Sequence, residues 1–90
     1  LSLIISIDIG DRQGEGKNLG NLGLAYSSLK QVEKAIEYYE RALAIAKEIG
    51  ALEDEYRWLD RLWEEYNSLG QFEKANSVKE RALDVYGKIG

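Results

Sequence analysis

The chain has 90 residues and a formal net charge of −4, with 12 Lys and Arg against 16 Asp and Glu, and it contains no Cys, His, Met or Pro. A chain of this length holds one small domain; without Cys or His it has no disulfide and none of the usual zinc ligand sets. Its acidic balance is the reverse of the basic stripe that displaces counterions from nucleic acid. The lack of Pro suits a chain that is nearly all helix, while the nine Gly call for an explanation.

Residues 1–10, LSLIISIDIG, are β-branched and apolar enough to suggest a strand when taken alone. Register with the rest of the chain favours a helix. Shifted by forty residues, Leu3 falls on Leu43, Ile5 on Ile45, Ile9 on Ile49 and Gly10 on Gly50. The segment is therefore predicted to be the C-terminal end of a truncated preceding repeat helix. Gly10-Asp11 should stop it and start the next, Gly in the left-handed position after one helix and Asp capping the other. The segment has neither the basic flank nor the small-residue cleavage site of a signal peptide. No apolar run in the chain reaches the roughly 18–20 residues that span a bilayer, so the expected location is the cytoplasm.

A first unit, 11–50, and a second, 51–90, align without a gap at sixteen identical positions. A fixed period between about 20 and 50 residues marks a helical or other repeat architecture. The predicted first helix runs from Asp11 to Leu29 and places Leu19, Leu22, Tyr26 and Leu29 on one face. Gly14, Gly16, Gly20 and Gly23 weaken it by about 0.8–1 kcal/mol each relative to Ala, so packing must hold it. Gly23, next to Leu22, would let a neighbouring helix approach closely. Gly14-Glu15-Gly16 does not make a phosphate loop, since the third Gly comes one residue late and no βαβ strand precedes it.

After a turn at Lys30-Gln31, a second helix buries Val32, Ala35, Ile36, Tyr39, Ala42, Leu43 and Ile49 and ends at Gly50. Its other face is charged, with Glu37 and Arg41 at a favourable i,i+4 spacing. The third helix begins at Ala51 with Glu53 and Asp54 suited to its positive end, and buries Leu52, Tyr56, Leu59, Leu62, Tyr66 and Leu69. Gly70-Gln71 turns the chain into a fourth helix with Phe72, Ala75, Val78, Ala82, Leu83, Val85 and Ile89 inside. Equivalent residues such as Leu22 and Leu62 are expected to have like surroundings. Two units bury little surface and arrays usually need about three or more. With no initiator Met besides, the chain is taken as a piece of something longer.

With Leu22, Gly23, Tyr26, Ala35, Tyr39 and Ala42 in the first unit, and Leu62, Tyr66, Ala75 and Ala82 in the second, the chain resembles the tetratricopeptide repeat family. The forty-residue period is similar to that of its long-helix subclass, found in cell-polarity adaptors and in bacterial and archaeal regulatory proteins. The resemblance implies an all-α superhelix of two helix-turn-helix repeats, plus the truncated N-terminal helix. Two positions depart from it: Trp63 stands where Gly23 does, and Lys79 where Tyr39 does. An indole in place of glycine must open the helix pair, rotate a helix or turn outward.

In that family the first helix of each unit lines a concave face. The groove positions carried over are Lys17, Gly20, Asn21, Leu24, Ser27 and Ser28, then Arg57, Asp60, Arg61, Glu64, Asn67 and Ser68. The peptide-binding set expected from them is Lys17, Asn21, Leu24, Ser28, Arg57, Arg61, Glu64 and Asn67. Asn21 offers both donor and acceptor to an extended backbone, and Lys17, Arg57 and Arg61 can pair with acidic groups. The leading expectation is a non-enzymatic scaffold, without metal or cofactor, that binds a peptide or partner helix. A homo-oligomer formed by end-to-end stacking or helix exchange is the alternative. An enzyme would have to rely on neighbours such as Glu64/Glu65 or Asp54/Glu55, which point in different directions on a helix.

Overall fold

The computed structural model describes the backbone from Ser2 to Ile89 and the side chains from residue 11 to residue 89. Among the described residues there are four helices, α1 (Ser2–Ser28), α2 (Val32–Ile49), α3 (Leu52–Ser68) and α4 (Phe72–Ile89). Each packs against the next, which makes two helical hairpins joined through α2 and α3.

The three connections are built alike, and the period of forty explains why. At each, a backbone N–H two or three residues past the helix returns to the carbonyl five residues back: Gln31 to Tyr26, Ala51 to Ala46 and Gln71 to Tyr66, all at 2.9 Å. The residue before it takes a left-handed φ, Lys30 at 63°, Gly50 at 72° and Gly70 at 75°. Glycine meets this geometry without a side-chain penalty, while Lys30 carries one. Lys30→Gly is therefore expected to raise stability by about 1 kcal/mol, read from urea melts. No gain would mean that the Lys30 side chain offsets its strained backbone.

Gly10-Asp11 departs from this pattern. The expected stop and restart are absent, and α1 is helical straight through both residues. Glycine permits a left-handed turn but does not impose one. At Gly50 the turn is held because α3 must fold back to bury Leu59 and Leu62, each 1 % exposed or less. Ser2 to Ile9 is helical, but it forms one continuous helix with residues 10–28 rather than a separate stub. The side-chain register expected for Leu3, Ile5 and Ile9 lies outside the described residues.

One core joins both hairpins, with Ala35, Tyr39, Ala42, Leu43, Leu59, Leu62, Ala75, Val78, Ala82 and Val85 all inside it. The expected stripes of α2 and α3 are thus largely present. Those of α1 and α4 need correction. Leu22 and Leu29 are 45 % and 66 % exposed, and Phe72, Leu83 and Ile89 are 63 %, 60 % and 39 % exposed. Leu69 is also exposed. Leu22 and Leu62 accordingly have unlike surroundings, since Leu62 is 1 % exposed. The physical reason is position: α2 and α3 each pack extensively against two helices, while α1 does so only against α2 and α4 only against α3.

The inward face of α1 is instead made by glycines. Gly16, Gly20 and Gly23 are buried at spacings of four and three. A Cβ on Gly23 would stand 2.7 Å from the Tyr39 ring and 3.3 Å from the Ala35 carbonyl oxygen, the close approach expected at this position. In the second hairpin the sizes are exchanged: Trp63 is half-buried against the core and Lys79 Nζ lies 4.8 Å from its ring centroid. A large residue on α2 over a glycine becomes a large residue on α3 under a flexible cation, so the indole is accommodated at the hairpin seam.

Candidate functional site

The surface shared by α1 and α3 starts from a seam. The Trp58 indole lies over Gly20, so close that a Cβ there would meet the ring at 2.0 Å. The ring also stacks on Tyr39, with centroids 5.9 Å apart and planes 21° apart. Trp58 is 3 % exposed and ties together α1, α2 and α3. Further along, Ser27 Oγ donates to Glu65 Oε2 at 3.1 Å. Glu65 is the one charged side chain buried among the described residues, and this bond gives its carboxylate a partner across the seam. Burial first, then the Glu65 charge, pushes the Tyr39 hydroxyl above its ordinary range. At the other edge of α3 the Tyr66 hydroxyl donates to Glu40 Oε2 at 3.5 Å, and burial with the Glu40 charge raises it too.

The expected groove residues flank this seam in two rows. Lys17, Asn21 and Ser28 are exposed on α1 and Leu24 is half-buried; Arg57 and Glu64 are exposed on α3, and Arg61 and Asn67 half-buried. Lys17 and Arg57 come together in one cleft of about 580 Å³, lined also by Gln13, the Gly50-Ala51 turn and Lys88. Asp54 shares the cleft, 3.8 Å from Arg57. The rest are not gathered in this way. Arg61 reaches Glu64 at 3.7 Å, and Asn67 Nδ2 donates to the Trp63 carbonyl at 3.0 Å, so these three are partnered within α3. Gly20 and Ser27 lie under the seam rather than in an open groove.

Register alone did not single out Trp58 and Glu65. The signal for both was their helical spacing with Leu62, four residues after Trp58 and three before Glu65. Glu64 and Glu65 diverge as neighbours on a helix do, one exposed and one buried. Among the described residues no cluster of three or more His, Cys, Asp or Glu is placed to hold a metal ion. No described helix is long and apolar enough to cross a membrane.

A family model described as tetratricopeptide repeat matches residues 19–88, most of the chain. No curated protein matches it.

Proposed function

We propose that this chain, which belongs to the tetratricopeptide repeat family, binds an extended acidic peptide or the acidic face of a partner helix along the wall made by α1 and α3. Repeats of this family mediate protein–protein interactions. The observation that carries the reading is the pair Lys17 and Arg57, contributed by different units to one cleft. Arg57 is held over the Trp58 ring at 5.9 Å, so its guanidinium is ordered before a ligand arrives and loses less entropy on pairing. Asn21 and Ser28, exposed on the next turns of α1, supply donors and acceptors for a peptide backbone.

The seam serves this function by rigidity. Trp58 on Gly20 and Ser27 on Glu65 fix α1 against α3, and a preformed surface binds without first ordering itself. Titration of short extended peptides of graded charge, followed by fluorescence anisotropy, tests the reading. Peptides rich in Asp and Glu are expected to bind best. Lys17→Glu with Arg57→Glu should weaken them about tenfold or more, each charge-assisted contact at a partly exposed site supplying roughly 1 kcal/mol. Asn21→Ala with Arg61→Ala should weaken them less, because neither residue lines the cleft that Lys17 and Arg57 share. Equal affinity for acidic and basic peptides, or no loss in the charge-reversed variant, would count against this wall.

A further inference from the structure

Two units in one chain allow each position to be compared with its counterpart forty residues on. Ala35 and Ala75, and Ala42 and Ala82, are buried in both units and belong to the inside of a hairpin. Leu43 and Leu62 are 6 % and 1 % exposed, yet their counterparts Leu83 and Leu22 are 60 % and 45 % exposed. Such positions face across the boundary between units. Leu43 and Leu62 lie where α2 meets α3; Leu83 lies on the side of α4 turned away from the first unit, and Leu22 on the side of α1 turned away from the second.

The polar contact across that boundary recurs in the same way. Tyr66 donates to Glu40 at 3.5 Å, and the chain repeats both residues as Tyr26 on α1 and Glu80 on α4. The cation beside the ring recurs as well, while Tyr26 also stacks on Tyr38 where the second unit has Val78. Lys34 Nζ lies 5.4 Å from the Tyr26 ring centroid and Lys74 Nζ lies 5.9 Å from that of Tyr66, the same cation in the same place in each unit. The two outer faces of the molecule therefore carry the two halves of an interface that its interior already forms.

We infer that copies of this chain associate head to tail, α1 of one copy docking on α4 of another as α3 docks on α2, with Leu22 and Tyr26 meeting Leu83 and Glu80. The contact is heterologous, so it extends into a row of copies rather than closing as a two-fold dimer. It is weaker than the boundary it copies, because the stacked Tyr39 and Trp58 are replaced by Lys79 and Asn18. It uses the end faces, not the α1 and α3 wall, and stands or falls independently of the peptide-binding reading.

Sedimentation equilibrium of the whole chain over rising concentration, with Leu22→Glu and Leu83→Glu beside it, tests the inference. The mean mass of the unmodified chain is expected to grow past that of a dimer, and each variant alone to stay a monomer. An equimolar mixture of the two variants should stop at a dimer, since one retains the Leu83 face and the other the Leu22 face. Both side chains are exposed, and circular dichroism checks that the helices remain. Tyr26→Phe, which removes only the hydroxyl, should raise the concentration of half-association severalfold. A monomer at millimolar concentration, a Leu22→Glu or Leu83→Glu chain that still pairs with itself, or a mixture that never pairs would overturn the proposal.

Discussion

Trp58→Ala is expected to lower the free energy of unfolding by about 3–5 kcal/mol, the range for removing a fully buried aromatic side chain. That is a large part of the roughly 5–15 kcal/mol that holds a small domain together. The expectation rests on what the indole touches. It is 3 % exposed, covers Gly20 on α1, and stacks on Tyr39 of α2, which is itself 1 % exposed. Removing it opens a cavity where three helices meet and takes away the side chain that Gly20 of α1 packs against. Urea denaturation followed by circular dichroism measures the loss. A cost near that of an exposed side chain, within about 0.5 kcal/mol, would show that α1 and α3 are held apart from this contact.

Gly20→Ala is expected to destabilise by about 1–3 kcal/mol, although Ala is the better helix former by close to 1 kcal/mol. The new methyl would overlap the six-membered part of the Trp58 ring, whose nearest atoms stand 2.0, 2.1 and 2.6 Å from the ideal Cβ. Overlap this deep moves the ring or the helix. Gly14 supplies the contrast, since nothing lies within 4 Å of a Cβ built there. Gly14→Ala should therefore stabilise by up to about 1 kcal/mol, in the same helix and by the same chemical change. The sign should also reverse at Gly20 when the obstacle is gone: in a Trp58→Ala background, Gly20→Ala should become neutral or stabilising. Such a double-mutant cycle isolates the contact from helix propensity. Equal effects in both backgrounds would mean that the indole does not rest on Gly20.

The period of forty residues was legible without coordinates, and with it much of the architecture. Matched positions in the two units pointed to the turns at Lys30, Gly50 and Gly70 and to the alanines inside each hairpin, and the family resemblance supplied the rows to which Lys17 and Arg57 were assigned. What register cannot express is which side of a unit has a neighbour. Leu22 and Leu62 are the same residue in the same pattern, but one faces water and the other faces another helix. The same limit applied to Leu43 and Leu83. Gly10 failed for a related reason: a glycine marks where a chain can turn, and packing decides whether it does.

The wall was partly legible for similar reasons. The family resemblance assigned Arg61, Glu64 and Asn67 to the groove row of α3, but a family pattern does not say that they partner one another or their own backbone. Trp58 was hidden because its partner is a glycine in another unit, and a glycine leaves no apolar signal. Gly14, Gly16, Gly20 and Gly23 of α1 read as a weakness of that helix. Three of them are the surface on which Ile45, Trp58 and Tyr39 sit.

Backbone amide shifts in an isotope-labelled chain, titrated with a short acidic peptide, test the functional account most directly. Saturable changes are expected to gather on Lys17, Asn21, Arg57 and their neighbours along α1 and α3, and to vanish when Lys17 and Arg57 are both reversed to Glu. Changes confined to the end faces around Leu22 or Leu83, or none at Lys17 and Arg57 at saturating peptide, would contradict it.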